Sequence, residues 1–117
     1  MSAYDLPPER RVRRRADFQR AYAEGTKVVT RLFVLFARPN GSKSTRLGVT
    51  ATRKTGNAVI RNRARRLVRE AFRRHREHLP VGFDLVVVVR PPLLQSHPEI
   101  IAPALIEAAG RALEAVE

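Results

Sequence analysis

A run of apolar, mostly β-branched residues, GFDLVVVVR at residues 82–90, restricts the fold more than any other feature of the chain. It is bounded by LPVG and RPP and predicts a strand. Because polar and apolar residues do not alternate in it, we expect this strand to be buried on both faces. The length of 117 residues indicates a single domain with a modest core.

Two earlier segments are also typical of strands. KVVTRLFVLFARP, residues 27–39, is rich in β-branched and aromatic residues and ends at a proline and the turn PNGSKS. TRLGVTATR, residues 45–53, alternates instead. One face is expected to meet the core, and the other offers a small and polar surface. The inward set is Leu47, Val49 and Ala51, and the outward set is Gly48, Thr50 and Thr52.

Three segments favour helices. ADFQRAYAEG, residues 16–25, predicts a short helix with Asp17 as N-cap and Gly25 as the stop. A longer helix is predicted from Asn57, the expected N-cap, to about His78. A third covers residues 98–117, but its start is uncertain because of Pro103. The stripe predicted to be buried in the second helix is Ile60, Ala64, Leu67, Val68, Ala71 and Phe72.

The order of elements is therefore α-β-β-(β)-α-β-α. This order predicts an α+β sandwich in which helices pack on one small sheet. We expect a single domain over residues 1–117, of which residues 1–15 form an extended basic arm. No apolar run approaches the length of a membrane span, and the polar start has no signal-peptide pattern, so a cytoplasmic protein is expected.

Positive charge is concentrated in the middle of the chain. The formal net charge is +12; residues 46–76 carry eleven Lys or Arg and one acid, whereas residues 77–117 carry two arginines and six acids. A GC-rich genome or adaptation to heat also raises the proportion of Arg over Lys, but neither explains the clustering. Such a distribution indicates a polyanionic partner.

The second helix holds most of this charge, with eight arginines and two glutamates between residues 61 and 77. Like charges at i,i+4 cost an isolated helix about 0.2–0.5 kcal/mol per pair. A solvated helix face is the alternative interpretation, but such faces usually mix charges of both signs. Bound phosphates would reverse the repulsion. The residues expected opposite the buried stripe are Asn62, Arg66, Arg69 and Arg73.

The groups needed for protein-based hydrolysis are missing from the pattern. Glu70 is the only acid between Glu24 and Glu77, so paired carboxylates are hard to assemble. There is no cysteine, and His75 and His78 lack an obvious third metal ligand. We expect no catalytic residue and no metal bound by the protein alone.

RNA is the expected partner rather than DNA. No helix-turn-helix or zinc module is visible for reading a major groove. The polar strand face and nearby aromatic residues instead resemble a platform on which unpaired bases stack. The candidates are Phe18, Tyr22 and Phe36, with core packing as the alternative for each; Phe33 and Phe72 are more typical of core.

The stretch RKTGNAVIRNRARRLVREAFR, residues 53–73, resembles the signature of the protein subunit of bacterial ribonuclease P, with Arg61-Asn62-Arg63 at its centre. The flanking segments DFQRAYAEG, FVLF, RLGVTATRK and FDLVVVVRP occur in the matching order. The resemblance implies a partner RNA that removes the 5′ leader of precursor tRNA with Mg²⁺. The alternatives are a ribosomal or other structural RNA-binding protein and a DNA-binding helix module.

The resemblance further implies an α-β-β-β-α-β-α fold with a left-handed β-α-β crossover, where general rules predict a right-handed one. It also implies two RNA-facing surfaces. The single-stranded leader of precursor tRNA would contact Phe18, Tyr22, Phe36, Thr50, Thr52 and Arg61. The RNA subunit would contact Arg53, Lys54, Asn62, Arg63, Arg65, Arg66, Arg69 and Arg73.

Overall fold

The computed structural model describes residues 6–116, and these form one α+β unit with the predicted order of elements. The helices are α1 (Arg15–Glu24), α2 (Ala58–Arg74) and α3 (Pro98–Val116), and the strands are β1 (Thr26–Val29), β2 (Phe33–Pro39), β3 (Arg46–Thr50) and β4 (Phe83–Val89). Short 3₁₀ turns occupy Pro8–Arg10, Arg76–His78 and Pro91–Gln95.

The four strands form one mixed sheet in the order β1-β2-β4-β3. β4 lies between β2, with which it is antiparallel, and β3, with which it is parallel. The prediction of a strand buried on both faces is confirmed, since every residue of β4 except Val88 is buried. The parallel neighbours β3 and β4 are joined through α2. The left-handedness of this crossover remains a prediction of the resemblance.

Helices cover the two faces of the sheet unequally. The main core lies between the sheet and the pair α2 and α3, and it includes Phe33, Leu35, Leu85 and Phe72, all almost completely buried. The core roles expected for Phe33 and Phe72 are confirmed. Among the described residues, the short α1 and part of the N-terminal arm, through Val12, pack on the other face. Part of that face stays open to solvent.

The start of α2 is set as predicted, but its end is not. The Asn57 side chain accepts a hydrogen bond from the backbone N–H of Ile60 at 3.0 Å, which confirms the N-cap. The helix ends at Arg74 rather than near His78, and a 3₁₀ turn follows. Ile60 was wrongly placed in the buried stripe: its side chain is exposed and packs against Gly56, whose φ of 152° favours glycine.

The first helix also differs at its start. Arg14, not Asp17, is the N-cap residue, and no side chain caps this end. Asp17 lies in the first turn instead, where a carboxylate is favoured by the helix dipole. Gly25 ends the helix as predicted, although its backbone is extended rather than left-handed.

The basic arm is partly folded and packs on the sheet. Pro8–Arg10 form a 3₁₀ turn. Arg11 forms an isolated parallel β-bridge with Leu47 of β3, and the N–H of Val12 donates to the Leu47 carbonyl at 2.9 Å. Leu6 and Val12 are buried. Residues 1–5 of the predicted arm lie outside the described part of the chain, and residue 15 belongs to α1.

The last helix begins at Pro98 and includes Pro103. Pro103 is exposed, so its ring faces solvent rather than the core. Buried alanines, with Ile101 and Leu105, form the face that packs against the sheet and α2.

Candidate nucleic-acid interface

An open depression of about 380 Å³ lies on the sheet face that α1 leaves uncovered. Tyr22 of α1 and Phe36 of β2 meet edge to face with ring centroids 5.1 Å apart. The Tyr22 hydroxyl is 2.7 Å from Thr50 Oγ1, so this hydrogen bond joins α1 to β3. The depression therefore combines aromatic faces with polar hydroxyls, as a base-stacking surface needs.

Phe18 stands one helical turn before Tyr22, with their ring centroids 6.4 Å apart. Its ring packs closely over Gly48 of β3. A Cβ placed on Gly48 would lie 2.8 Å from Phe18 Cε1, closer than two carbons can approach. Glycine at position 48 therefore lets the first turn of α1 approach the sheet. Phe18 is half-buried here and does not line the depression itself.

Thr50, at the end of β3, and Thr52, in the turn that follows, both line the depression. Thr52 lies beyond the strand, although the alternation placed it within one. Arg61 does not line the depression; it is half-buried on α2, and its Nε is buried without a hydrogen-bond partner among the described residues.

Sequence reasoning missed three residues of this depression: Lys27, Val34 and Val88. Val34 shares the outward face of β2 with Phe36, and its partner across the sheet is Val88. The Lys27 ammonium lies 6.0 Å from the centre of the Phe36 ring, at the outer range of a cation–π contact. Alternation within β2 was the available signal for Val34, but the register that brings Val88 beside it was not visible in the sequence.

A buried ion pair holds α1 against the sheet. Asp84 of β4 is 2% exposed and receives hydrogen bonds from Arg46 Nε at 2.8 Å and Nη2 at 2.6 Å, and from Asn40 Nδ2 at 3.0 Å. Arg46 Nη2 also lies 3.4 Å from Asp17 Oδ2 of α1. This group, Asp17, Arg46 and Asp84, is termed the Arg46 clamp below.

The pKa values of the clamp reflect this geometry. Burial by itself raises the pKa of Asp84, but the hydrogen bonds from Arg46 and Asn40 and the nearby positive charge outweigh it, so the pKa is held below its usual range. The hydrogen bond to Asp84 raises the pKa of Arg46 against the opposing effect of burial. Both groups are therefore charged at neutral pH.

The arginine side of α2 forms a second surface. Asn62, Arg63 and Arg66 are exposed, as are Arg53 and Lys54 in the turn before the helix. Arg65 is half-buried and donates to Asn62 Oδ1 at 3.1 Å. Arg69 is also half-buried.

An open cavity of about 470 Å³ lies between this helix and the start of α3. Arg63 and Arg66 line it, together with Leu67, Glu70, His97 and Pro98. Two of the predicted RNA-subunit contacts therefore border one concave surface rather than a flat helix face.

The charged side chain of Glu70 in α2 is buried. Its side chain is 4% exposed and is bound by Arg73, whose Nη2 lies 3.0 Å from Oε1, and by Arg74 Nε. Arg73, expected to face outward, is half-buried and engaged in this ion pair. The positive charge that is not paired within the helix is therefore weighted toward its first half.

Residues 6–116 show no cluster of candidate metal ligands. Within that part of the chain, no three His, Cys, Asp or Glu side chains are grouped closely enough to hold a metal ion. The rings of His75 and His78 are 6.4 Å apart between centroids. No helix in the described residues combines the length and hydrophobicity needed to cross a bilayer.

Known proteins share both the sequence and the fold. The family model described as Ribonuclease P matches residues 6–113. The ribonuclease P protein component of Desulfovibrio desulfuricans is 42% identical over 92 residues, covering 77% of this chain and 71% of that protein. The corresponding component of Brevibacillus brevis is 37% identical over 103 residues, covering 87% and 82%.

Two solved structures agree with these matches. The RNase P protein from Thermotoga maritima superposes with a TM-score of 0.78 at 36% identity, covering 86% of this chain and 96% of that one. The Staphylococcus aureus RNase P protein superposes with a TM-score of 0.69 at 31% identity, covering 92% and 95%. Because the family model matches residues 6–113 of this chain and the solved structures share its fold, the chain belongs to the ribonuclease P protein family.

Proposed function

We propose that this chain assists the RNA of ribonuclease P through two separate surfaces, one for the substrate's leader and one for the RNA subunit. As a member of the family it is the non-catalytic protein subunit of the holoenzyme that matures the 5′ end of tRNA. Its partners are the ribonuclease P RNA and precursor tRNA. Cytoplasm, where precursor tRNA is made in a bacterium, is the proposed site of action.

The depression on the open sheet face is the proposed leader site. The observation that carries this assignment is the pairing of Tyr22 and Phe36 on a surface that no other element of residues 6–116 covers. Single-stranded RNA binds by stacking unpaired bases on aromatic rings, whereas a folded tRNA body offers few unpaired bases. Phe18 holds the first turn of α1 against the sheet, and Thr50 and Thr52 supply hydroxyls for polar contacts.

Arg61 takes a different place in this proposal. The segment between Thr50 and Asn57 connects the end of β3 to the start of α2. The first turn of α2 therefore comes soon after Thr50 and Thr52 along the chain. Arg61, in that turn, is suited to a phosphate of the leader or of the adjoining RNA subunit. It is therefore proposed as a border residue between the two surfaces.

The RNA subunit is proposed to dock on the arginine side of α2 and the turn before it. The exposed members are Arg53, Lys54, Asn62, Arg63 and Arg66. Arg65 and Arg69 are half-buried and extend the same surface. Arg73 is a weaker candidate, because a phosphate would have to compete with Glu70 for its guanidinium.

The chemistry is assigned to the RNA. Phosphodiester hydrolysis with Mg²⁺ needs oxygen ligands in a defined arrangement, and RNA phosphates supply them. The contribution proposed for this chain is electrostatic: its arginines neutralise part of the phosphate repulsion within the complex, and the depression anchors the leader. The holoenzyme is therefore expected to need less Mg²⁺ than the RNA alone.

The test is to reconstitute cleavage with a bacterial ribonuclease P RNA at low Mg²⁺. The chain is expected to raise the cleavage rate of leader-bearing precursor tRNA, and protein without RNA is expected to cleave nothing. Cleavage by nuclease-free protein alone, or no effect on the RNA at any Mg²⁺ concentration, would contradict the proposal.

Tyr22→Ala and Phe36→Ala test the leader site in the same holoenzyme. Each is expected to weaken binding of leader-bearing substrate by about 1–3 kcal/mol per unstacked base, with little change for mature tRNA. Val81→Ala is the control, because Val81 is a largely exposed apolar residue that does not line the depression. Thermal melts of each variant separate a folding defect from a lost contact. An unchanged preference for the leader in folded variants would refute the assignment.

A further inference from the structure

The packed N-terminal arm creates a second cavity that neither proposed surface uses. It measures about 510 Å³ and is lined by Pro8, Glu9, Arg11, Arg13, Arg14, Asp17 and Arg46. Residues of three elements meet here, namely the arm, the first turn of α1 and the first residue of β3. The depression proposed for the leader has no residue in common with it.

Several positive charges in this cavity have no internal counter-charge. In the described part of the chain, Arg11, Arg13 and Arg14 form no ion pair. Asp17, by contrast, already lies beside Arg46 and 3.6 Å from Arg20. Glu9 also lines the cavity, and it reduces the excess of positive charge without removing it.

Arg11 gives an independent indication of a ligand site. Its Nε is buried without a hydrogen-bond partner among the described residues. A buried donor of a charged group costs free energy when it is left unsatisfied, typically about 1–3 kcal/mol or more. The backbone cannot relieve this easily, because Arg11 and Val12 are held against Leu47.

We propose that the cavity binds an RNA phosphodiester through Arg11, Arg13 and Arg14. Guanidinium groups match phosphate oxygens with paired hydrogen bonds, and Arg is well suited to such recognition. The two sources of such a phosphate are the substrate's leader and the RNA subunit. The inference rests on the proposed function for its natural ligand, but the cavity itself does not depend on it.

The position of the cavity makes the leader a realistic source. Arg46 begins β3 and lines the cavity, whereas Thr50 ends the same strand and lines the depression. Four strand residues span about 13 Å, which corresponds to roughly four stacked nucleotides at about 3.4 Å each. A leader held by its bases at Tyr22 could therefore reach the cavity with phosphates a few nucleotides away.

The test compares two double variants that lose the same charge. The arm variant is Arg13→Ala/Arg14→Ala, and the control variant is Arg31→Ala/Arg111→Ala. All four arginines are exposed, so neither variant is expected to unfold the protein. Affinity is measured against salt concentration for the RNA subunit alone, and for holoenzyme with precursor tRNAs whose leaders differ by about four nucleotides. Each lost phosphate contact is expected to flatten the slope of log K against log salt by about 0.7–0.9.

The two affinity measurements distinguish the two sources of the phosphate. A reduced slope for the RNA subunit alone identifies that RNA as the ligand. A reduced slope only with the longer leader identifies the substrate. If the arm variant and the control variant give equal salt slopes in both measurements, the cavity is not a phosphodiester site and the inference is overturned.

Sulfate provides a readout that does not depend on the proposed function. Sulfate is expected to raise the melting temperature of the wild type and the control variant more than that of the arm variant. If wild-type protein binds neither RNA while this difference persists, the proposed function fails and the anion site stands. Equal sulfate effects in all three proteins would count against the site.

Discussion

Gly48 shows how one residue fixes the position of an entire helix. The Phe18 ring occupies the space where any larger residue would place its Cβ. The same ring lies 6.4 Å from the Tyr22 ring between centroids, and Tyr22 is hydrogen-bonded to Thr50. The absence of a side chain at position 48 therefore determines how close α1 lies to the depression.

Gly48→Ala is expected to destabilise the protein by about 1–3 kcal/mol, because an inserted methyl group in packed surroundings forces neighbours to move. It is also expected to weaken the preference for leader-bearing substrate, since Phe18 must shift. Denaturant unfolding measures the first effect and substrate binding the second.

Gly110→Ala is the matched control. Gly110 lies inside α3, and apart from its chain neighbours and the backbone of its own helix no described atom lies within 4 Å of an added Cβ. This change is expected to stabilise the protein by about 0.5–1 kcal/mol through helix propensity. If both variants shifted stability equally, close packing at Gly48 would not be the cause.

Asp84 controls stability at acid pH through the Arg46 clamp. Its folded pKa is held below the ordinary value of about 3.9. Its charged form therefore stabilises the fold above that value, and this contribution is lost as pH falls through the lower, folded pKa. Asp84→Asn is expected to cost about 1.5–3 kcal/mol at pH 7, the usual worth of hydrogen bonds to a charged group.

The deficit of the Asp84→Asn variant relative to wild type is expected to shrink as the pH is lowered below about 4. Unfolding free energies measured across this range test the prediction. Glu107→Gln is the control, because the exposed Glu107–Arg111 pair contributes little. A deficit that stayed constant down to the lowest pH at which the protein folds would exclude the ionised carboxylate as its cause.

At the scale of elements, α2 reconciles a buried face with a very basic exposed one. Ala64, Val68, Ala71 and Phe72 pack into the core. Glu70 neutralises charge near the C-terminal end, where Arg73 and Arg74 also lie favourably for the helix dipole. The unfavourable end is the first turn, where no acidic residue is present.

Glu70→Gln is expected to destabilise the protein by about 1–3 kcal/mol, because the charge-assisted hydrogen bonds from Arg73 and the ion pair with Arg74 are weakened. Part of the loss is expected to return in sulfate, which can occupy the released guanidinium groups. Melting temperatures in sulfate and chloride at equal ionic strength measure both effects. A loss that sulfate leaves untouched would point to side-chain packing instead of charge.

At the scale of the whole molecule, the two faces of the sheet have different roles. The face covered by α2 and α3 holds the main core, and the face under α1 holds the depression. The net charge of +12 is spread around these features on the arm, the turn before α2 and α2 itself. Such a molecule repels itself unless anions are bound.

Wild-type stability is therefore expected to rise with sulfate or phosphate beyond the effect of ionic strength. An anion at ten times its Kd contributes about 1.4 kcal/mol for one site. Thermal melts in sulfate and chloride at matched ionic strength test this. Identical midpoints in the two salts would mean that the arginines form an ordinary solvated surface.

What the sequence by itself determined was local. β-Branched and apolar runs and the alternation of residues 45–53 identified the strands, and helical spacing identified the helices. Asn57 marked the start of α2. Such signals involve neighbours within one turn or one strand. The central motif also identified the family.

The tertiary structure decided which distant residues meet. Phe18 over Gly48, Val88 beside Val34 and Asp84 against Arg46 each depend on strand order and register, which no local pattern encodes. Arg73, which was expected opposite the buried stripe, was wrongly placed for the same reason. Burial depends on what packs against a helix face, whereas helical spacing reports only which residues share that face.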